Sequence, residues 1–598
     1  MIQLGKRHVY AMLILVGIVA VILFPHVLSL DVAWSSDEAL WLFRSRAFML
    51  SVLDGDFSQT LQSHHPGVTT MWLGGMSLWT KYRYTLHNAH LFHRYPFWSL
   101  SNLARTRLTI AIVTGCTILI AFFLIQKLLG GQIAAISGIL LAVDPIYLAQ
   151  SRRLHTDALA TDFLLLAILA LLIFVENASR RRYLIFSGVC FGLACLSKSN
   201  ALILVLWVPL LFAFSLRKSD WVIWLGRSLH AGLTWLSIVA VTFFICWPAL
   251  WVYHLSIGGI PIPISGVIAL CLVSIAIWSG AKLKHLTASA DVAVARKATK
   301  SALVIGGIGL LATVFIVYKA VVPYVDRIGW ALTTAHNVHH YFLGKIVYDP
   351  GWLFYPLMLS IKSAPLTLPL FIIGFVLLWR RREQPQYAKP YRIYIALSIF
   401  VLLFTICMSI GAKKFSRYLL PVFPILDILA AIGLALLIEK IAQLDILKQR
   451  RIGKVAGVTA LGIALFIQVF PVLKLHPYYG TYYNPLWGIA DITKVCTTGD
   501  ASGLDLAADY LNQKPNPENL VVRVSPLSAE FFGYYFKGIF YRRDSAAGMR
   551  SPDYEVAYIR DVQINRVHLD DIKGTLEHVI RLNNVDYVWI YRLQGNEN

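Results

Sequence analysis

The sequence has few charged residues and few cysteines. Asp, Glu, Lys and Arg make up 14% of the 598 residues, whereas soluble domains carry about 25%. Hydrophobic residues make up 57%, and the mean hydropathy is +0.62. These values exclude a soluble multidomain protein and a disordered protein, and they indicate a polytopic membrane protein. Seven cysteines provide no disulfide framework, because six lie in apolar runs and only Cys496 lies in a polar region.

The net charge of +22 does not indicate a nucleic-acid partner. The positive charges lie in short clusters between apolar runs, which is the pattern that sets membrane topology. The runs predict thirteen membrane-spanning helices, and the first is expected to be a retained helix and not a cleaved signal peptide. These spans are predicted near 9–30, 107–126, 132–149, 157–176, 183–198, 200–216, 229–251, 261–279, 302–322, 365–379, 391–411, 418–438 and 455–473.

The basic clusters alternate from loop to loop and place the N-terminus in the cytoplasm and the C-terminus outside. We expect a transmembrane domain over 1–473, with outer loops at 31–106 and 323–364. The remaining residues, 474–598, predict a small extracytoplasmic α/β domain. Its expected elements are helices at Gly503–Asn512 and Pro526–Phe536 and strands at Asn519–Val524 and Val585–Leu593.

An acidic pair, Asp37-Glu38, follows the first predicted span. Charged residues next to a membrane are costly and indicate function. The stretch that follows, to about Leu53, is rich in Leu, Phe and Trp and is expected to lie along the outer interface. The alternative is structural, with Ser36 or Asp37 capping this helix and Glu38 favoured by its dipole.

A mixed loop follows the third span and contains Arg152, Arg153, His155 and Asp157. Two guanidinium groups, an imidazole and a carboxylate within a few residues suit an anionic ligand. An interfacial ion-pair cluster is the alternative. Asp162 is expected to lie within the next helix and to pair with a neighbour.

Two basic turns lie on the same outer side. The first contains Lys198, which either binds an anion or extends to lipid headgroups. The second precedes the twelfth span and contains Lys413, Lys414, Arg417 and Tyr418. Three cations in five residues at a helix N-terminus predict a phosphate site, with binding of anionic lipid headgroups as the alternative.

Histidines in the outer loops are further candidates. His65 and Pro66 lie in the first loop, and His336, His339 and His340 lie in the second. The spacing of the last three suits one helix face, as in metal sites, but no carboxylate completes a familiar pattern. We therefore expect ordinary polar contacts and no metal or other cofactor.

The outer face thus combines an acidic pair, a mixed loop and two basic turns. A carboxylate that deprotonates an acceptor and cations that hold a leaving phosphate suit transfer from a membrane-bound phosphate donor. The sequence contains no glycine-rich phosphate loop, the motif that would indicate a soluble nucleotide as the donor.

At these residues the chain resembles the C-type membrane glycosyltransferases, the superfamily of protein O-mannosyltransferases and the lipid A aminoarabinose transferase. The resemblance covers nearly the whole chain, although most of it is topology. Gly67 and Ser199 depart from the family pattern, which has Pro and Gly there. The matching motifs are Asp37-Glu38, His65-Pro66, Arg152 to Asp157, Lys198, Lys414, Arg417-Tyr418-Leu419-Leu420-Pro421, Tyr341 to Gly344, Asp349-Pro350-Gly351, Tyr355-Pro356 and Tyr482-Tyr483-Asn484-Pro485.

The resemblance implies an inverting transfer from a polyprenyl-phosphate sugar, with Asp37 as general base. Glu38 and Asp157 would position the acceptor or tune the base. The donor phosphate would be bound by a set of basic and neighbouring residues, namely Lys198, Arg152, Arg153, Lys414, Arg417 and Tyr418. The loop histidines, including His155, are further candidates.

The resemblance leaves the sugar and the acceptor open. A protein hydroxyl, a lipid A-like lipid and an envelope glycan all remain candidates for the acceptor. The expected location is the bacterial inner (plasma) membrane. The alternative function is a secondary transporter or a flippase of lipid-linked sugars, although the sequence contains no internal repeat.

Overall fold

The computed structural model describes most of the chain: residues 25–35, 37–63, 66–82, 99–214, 221–252, 254–257, 260–263, 339–444, 453–488, 491–545 and 550–593. Within these ranges the protein is mainly helical, with a small mixed sheet near the C-terminus. The helices are α1 (Glu38–Leu53), α2 (Val68–Tyr82), α3 (Leu100–Leu129), α4 (Gly131–Val143), α5 (Pro145–Ser151), α6 (Thr156–Glu176), α7 (Arg181–Ser197), α8 (Leu204–Phe214), α9 (Trp221–Cys246), α10 (Ala249–Val252), α11 (Phe354–Lys362), α12 (Thr367–Arg381), α13 (Pro385–Ile410), α14 (Val422–Ala442), α15 (Gly453–Leu475), α16 (Leu504–Asn512), α17 (Ala529–Gly533) and α18 (Ile559–Gln563).

The strands form two hairpins and one larger sheet. They are β1 (His254–Ile257), β2 (Ile260–Pro263), β3 (His340–Phe342), β4 (Lys345–Val347), β5 (Val521–Val524), β6 (Ile539–Arg542), β7 (Tyr554–Tyr558), β8 (Gly574–Leu582) and β9 (Val585–Leu593). The antiparallel hairpins are β1–β2 and β3–β4. The larger sheet has the order β6-β5-β7-β9-β8, with β5 parallel to both neighbours and β9 antiparallel to both of its own.

Six helices of the described part are long and apolar enough to cross a membrane: α3, α6, the Ser228–Cys246 part of α9, α13, α14 and α15. The number rises to eight if each of two bent pairs is one span, α4 with α5 (61°) and α11 with α12 (101°). The chain is therefore a multi-pass membrane protein. The expected spans at 261–279 and 302–322, and most of 9–30, lie outside the described residues, so the count of thirteen remains a prediction.

The predicted spans between 107 and 473 that fall in the described ranges all coincide with helices, although several differ from simple spans. The span expected near 132–149 is broken at Asp144, whose carboxylate accepts a hydrogen bond from the Tyr147 backbone N–H and so begins a new helix, α5. The helix expected from 200 begins with a tight 3-10 turn, Ser199–Ile203. Asp162 lies within α6 and accepts hydrogen bonds from Thr114 and Tyr147, as expected.

Small residues allow α12 and α14 to cross at close range. A Cβ atom added at Gly433 would lie 2.0 Å from the Leu370 carbonyl oxygen, and one added at Gly374 would lie 2.9 Å from the Gly433 Cα. Since backbone atoms cannot move aside as a side chain can, a larger residue at Gly433 must push the two helices apart.

We expect Gly433→Ala to lower the free energy of unfolding in detergent by about 1–3 kcal/mol, because it overpacks this crossing. The matched control is Gly462→Ala on α15, where an added Cβ would meet no atom within 4 Å. Alanine is the better helix former, so that variant should be neutral or slightly stabilised. Equal stabilities of the two variants would contradict the close crossing.

The C-terminal sheet has its own core of buried residues, formed with α16 and α17. The predicted helix at Gly503–Asn512 and the strands at Asn519–Val524 and Val585–Leu593 are confirmed as α16, β5 and β9. The helix expected over Pro526–Phe536 is wrong in length, because only Ala529–Gly533 is α-helical. The proposed domain boundary at 473/474 stays a prediction.

Contacts join this sheet region to the segment before α1. The Ala33 backbone N–H donates to Asp505, and the Trp34 N–H donates to the Tyr535 hydroxyl. The rings of Trp34 and Tyr534 stack with their centroids 4.0 Å apart. These contacts hold the start of α1, and with it the acidic pair, against the C-terminal part of the chain.

Candidate functional site

A cavity of about 390 Å³ lies where the membrane helices meet the C-terminal sheet region. Its wall contains two carboxylates, Asp37 and Asp500. It also contains a larger set of cationic side chains, which are Arg153, Lys362, Lys413, Lys414, Arg417 and Arg560. The excess of positive charge suits an anionic ligand.

Asp37 lies at the N-terminal end of α1, where it caps the helix by position but accepts no hydrogen bond from it through its side chain. Its carboxylate lies 2.6 Å from an Arg417 guanidinium nitrogen and 3.3 Å from His155 Nε2. Although burial favours the neutral acid, the hydrogen bond with His155 and the charge of Arg417 hold the pKa of Asp37 well below its usual range. Asp37 is therefore an ionised carboxylate in the cavity wall.

His155 joins Asp37 to Asp157. Its Nδ1 lies 2.7 Å from the Asp157 carboxylate, and its other ring nitrogen faces Asp37. Burial disfavours the imidazolium, but the Asp157 carboxylate and the hydrogen bonds with both acids raise the pKa of His155 above its ordinary value. The imidazole thus fixes the separation of the two carboxylates.

Asp157 binds two further cations. Lys198 donates to its carboxylate, and the Arg417 Nε lies 3.6 Å from it. Asp37, Asp157, Lys198 and Arg417, which are far apart in the sequence, therefore belong to one connected network. This convergence favours the transferase hypothesis over the transporter alternative.

Glu38 does not line the cavity. It is fully buried, and Arg107 donates to both of its oxygens. The backbone N–H of Leu154 donates to it at 2.9 Å, and Ser35 donates through both its backbone N–H and its hydroxyl. The prediction that Glu38 positions the acceptor by contact is not supported, because its lone pairs are engaged within the protein. Its carboxylate instead ties the start of α1 to the loop that contains His155.

Gly67, one of the two departures from the family pattern, has a physical reason. Its φ of +57° is closed to proline, whose ring fixes φ near −65°. A Cβ atom here would lie 2.2 Å from the Trp41 ring, and the Gly67 N–H donates to the Ser197 carbonyl at 3.1 Å. The preceding Pro66 precedes α2 and is half-buried, whereas His65 lies outside the described residues.

The second basic turn approaches the cavity as an extended segment followed by the 3-10 turn Ser416–Leu419. Lys414 is buried and lies 2.5 Å from Asp349, so its charge is paired. Lys413 is half-exposed and faces the same cavity. The Tyr418 ring lies under the Lys198 ammonium at 4.1 Å and does not line the cavity, so its predicted phosphate contact is not supported.

Arg152 and Lys198 are also absent from the cavity wall. The Arg152 guanidinium donates to the backbone carbonyls of Pro25 and Ser29 and lies over the Tyr479 ring. Lys198 is buried against Asp157. Direct phosphate contact is therefore not supported for these two, whereas Arg153 does line the cavity and donates to Asp500.

The outer-loop histidines have different surroundings. His339 lies beside the Tyr348 ring, whereas His340 is buried and lines the cavity. His336 falls outside the described ranges. No group of three or more His, Cys, Asp or Glu side chains in the described ranges is placed to hold a metal ion, and metal independence stays a prediction.

Three charged residues of the cavity wall were not predicted from the sequence: Lys362, Asp500 and Arg560. Lys362 ends α11, where a C-terminal lysine is an ordinary helix feature. Asp500 and Arg560 belong to the predicted α/β domain, where charged residues are common. Their position in the cavity wall depends on contacts between residues far apart in the sequence, such as Arg153 and Asp500.

Residues 99–252 match the family described as dolichyl-phosphate-mannose-protein mannosyltransferase. The predicted resemblance is confirmed for this quarter of the chain. The segment contains α3 to α10, and with them His155, Asp157 and Lys198. No curated protein matches the sequence significantly.

Solved structures with a similar chain path include two membrane proteins. The oligosaccharyltransferase of Archaeoglobus fulgidus is 14% identical with a TM-score of 0.49, and the match covers 90% of this chain and 65% of that one. ArnT from Cupriavidus metallidurans in the apo state is 14% identical with a TM-score of 0.46, and 97% and 98% of the two chains are covered. ArnT from the same organism bound to undecaprenyl phosphate is 13% identical with a TM-score of 0.43, and the match covers 97% of this chain and 98% of that one. Such low values carry no argument about function.

Proposed function

We propose that this protein is an integral-membrane glycosyltransferase, which moves a sugar from a polyprenyl-phosphate donor to an acceptor hydroxyl. The observation that carries the proposal is the Asp37 carboxylate, held by Arg417 and His155 in the wall of a cavity rich in cations. A base beside a phosphate-binding surface is what this transfer requires. The match of residues 99–252 to a family named for a lipid-phosphate sugar donor supports the same class of donor.

The reaction is a single inverting displacement. The acceptor oxygen attacks the anomeric carbon while Asp37 takes the hydroxyl proton. The bond between that carbon and the phosphate oxygen breaks, and polyprenyl phosphate leaves with the electron pair. Arg417, Lys414 and Arg153 stabilise the negative charge that develops on the phosphate. We assign no cofactor to this step.

Arg417 has two tasks in this proposal. In the free protein it pairs with Asp37, which makes that carboxylate a weak base. A donor phosphate competes for the same guanidinium and so draws charge away from Asp37. Binding of the donor therefore raises the basicity of Asp37 at the moment when an acceptor is needed, and the free enzyme keeps its base inactive.

Asp157, His155 and Lys198 act behind this pair as positioning residues. They set the orientation of Asp37 and Arg417 without facing the cavity, apart from the imidazole edge that contacts Asp37. The reaction is assigned to the outer face of the inner (plasma) membrane, following the charge pattern of the loops. The sugar remains open, as do a protein hydroxyl, a lipid A-like lipid and an envelope glycan as acceptors.

The proposal is tested by turnover in proteoliposomes. The purified chain is supplied with labelled polyprenyl-phosphate sugars and an envelope extract as acceptor, with and without EDTA. We expect one donor to release polyprenyl phosphate, with label moving to the acceptor at the same rate in both conditions. Movement of intact donor across the bilayer without transfer would instead establish a flippase.

Donor binding depends on Arg417. Removing one charged hydrogen bond costs about 1.5–3 kcal/mol, so Arg417→Ala should weaken binding of undecaprenyl phosphate by about 10- to 100-fold. The matched control is Arg581→Ala, which breaks an exposed Arg–Asp pair with Asp586. Equal affinities of the two variants in a calorimetric titration would remove Arg417 from the donor site.

A further inference from the structure

One corner of the cavity is not used by the reaction described above. It is formed by His340 of β3, Lys413 of the second basic turn and Arg560 of α18. These residues belong to three separate parts of the chain. His340 and Arg560 are not assigned to the donor phosphate, and Arg560 comes from the C-terminal sheet region.

The charges in this corner are not balanced by the protein. Asp349 pairs with Lys414, but no carboxylate in the described ranges lies within ion-pair distance of Lys413 or Arg560. Both are half-buried cations in a cavity wall, and cations in such a wall without a counter-ion attract an anionic ligand. The leaving phosphate at Arg417 is one anionic group, and the cavity has more cations than this group can neutralise.

Two buried polar atoms in the same corner lack hydrogen-bond partners among the described residues. They are Nε2 of His340 and Nε of Arg560. His340 is only 4% exposed and lines the cavity. Burial and the nearby charges of Arg560, Lys413 and Lys414 lower the pKa of His340 to about 4. A neutral imidazole surrounded by three cations is suited to donate an N–H to an oxyanion.

The fold holds this corner rigidly. The Gln563 side chain donates to the carbonyls of Thr493 and Cys496, and it accepts from the Thr498 backbone N–H at 2.8 Å. The adjoining segment pairs with the hairpin that contains His340, through the bridge between Phe342 and Cys496. The elements that contain Arg560 and His340 are therefore both tied to one segment, Thr493 to Thr498.

We propose that His340, Lys413 and Arg560 form a second oxyanion site in the cavity, which binds a phosphoryl group additional to the one at Arg417. The inference rests on the proposed function only in assigning the first phosphate to Arg417. The second phosphoryl group comes either from the lipid carrier, as a diphosphate, or from a phosphorylated acceptor. The C-terminal sheet region then takes part in substrate binding, because it supplies Arg560.

Calorimetric titration of the full chain in nanodiscs tests the site and distinguishes the two sources. The probes are undecaprenyl phosphate, undecaprenyl diphosphate and, on protein saturated with undecaprenyl phosphate, inorganic phosphate. If the carrier is the source, the diphosphate should bind at least about tenfold more tightly than the monophosphate, and Arg560→Ala should abolish that difference. If the acceptor is the source, both lipids should bind alike, and inorganic phosphate should bind the loaded wild type but not Arg560→Ala.

The matched control is Arg566→Ala, an exposed arginine a few residues beyond Arg560. The half-exposed Lys413→Ala repeats the test if Arg560→Ala does not fold. Absence of both the diphosphate preference and phosphate binding in the wild type would overturn the inference, as would equal behaviour of Arg560→Ala and Arg566→Ala. If undecaprenyl phosphate does not bind at all, the proposed function fails. The second site is then tested separately, by comparing the binding of inorganic phosphate to the lipid-free wild type and to lipid-free Arg560→Ala.

Discussion

Asp37→Asn should lower turnover by about 10²–10⁴-fold, the usual cost of losing a general base. The amide keeps the size of the carboxylate, and its oxygen can still accept a hydrogen bond from His155 or Arg417. The amide cannot take up the proton of the acceptor hydroxyl, as the carboxylate does. The loss should therefore lie in the chemical step, and the folded structure should persist.

Donor affinity separates this explanation from a structural one. In Asp37→Asn the guanidinium of Arg417 is freed from its carboxylate, so undecaprenyl phosphate should bind at least as tightly as in the wild type. The control is Asp586→Asn, which removes a half-exposed surface carboxylate paired with Arg581 and should leave turnover unchanged. Full activity of Asp37→Asn would contradict the assignment of the base.

Glu38→Gln, although adjacent, should act mainly on stability. It leaves the fully buried Arg107 without its ion-pair partner, and an unpaired buried charge of this kind costs about 3–5 kcal/mol. We expect a correspondingly large fall in the free energy of unfolding in detergent. The exposed-pair variant Asp586→Asn should lose less than about 1 kcal/mol.

A double-mutant cycle tests the cause of that loss. Glu38→Gln combined with Arg107→Gln removes both charges and should be clearly more stable than Glu38→Gln alone, because no uncompensated charge remains. The activity of the folded fraction should fall far less than in Asp37→Asn. Strictly additive losses would show that Glu38 and Arg107 do not stabilise the fold as a pair.

The sequence predicts the helical framework well, because an apolar run long enough to span a bilayer has few alternative structures. It also identifies Asp37, Asp157 and Arg417 as unusual charges. It does not separate Asp37 from Glu38, since both follow the same predicted span. Only the packing of Arg107 of α3 against Glu38 shows that one acid is internal while its neighbour faces the cavity.

The break of the predicted third span has a local reason that the hydropathy pattern hides. Asp144-Pro145 is a helix start inside an apolar run, with Asp as the cap and Pro at the first helical position. The break matters for the candidate site, because Ile146, Ala149 and Gln150 of α5 line the cavity. The cap-and-proline signal was available in the sequence, but the contribution of Asp500 and Arg560 was not, because it depends on long-range packing.

The decisive experiment is a structure of the protein with bound undecaprenyl phosphate. We expect the phosphate in the cavity, with an oxygen within about 3.2 Å of the Arg417 guanidinium and with Asp37 facing the space left for an acceptor. The contact between Arg417 and Asp37 should lengthen from 2.6 Å in the free protein. A phosphate bound elsewhere on the protein, with the pair of Asp37 and Arg417 intact and shielded from the lipid, would rule out the proposed roles of both residues.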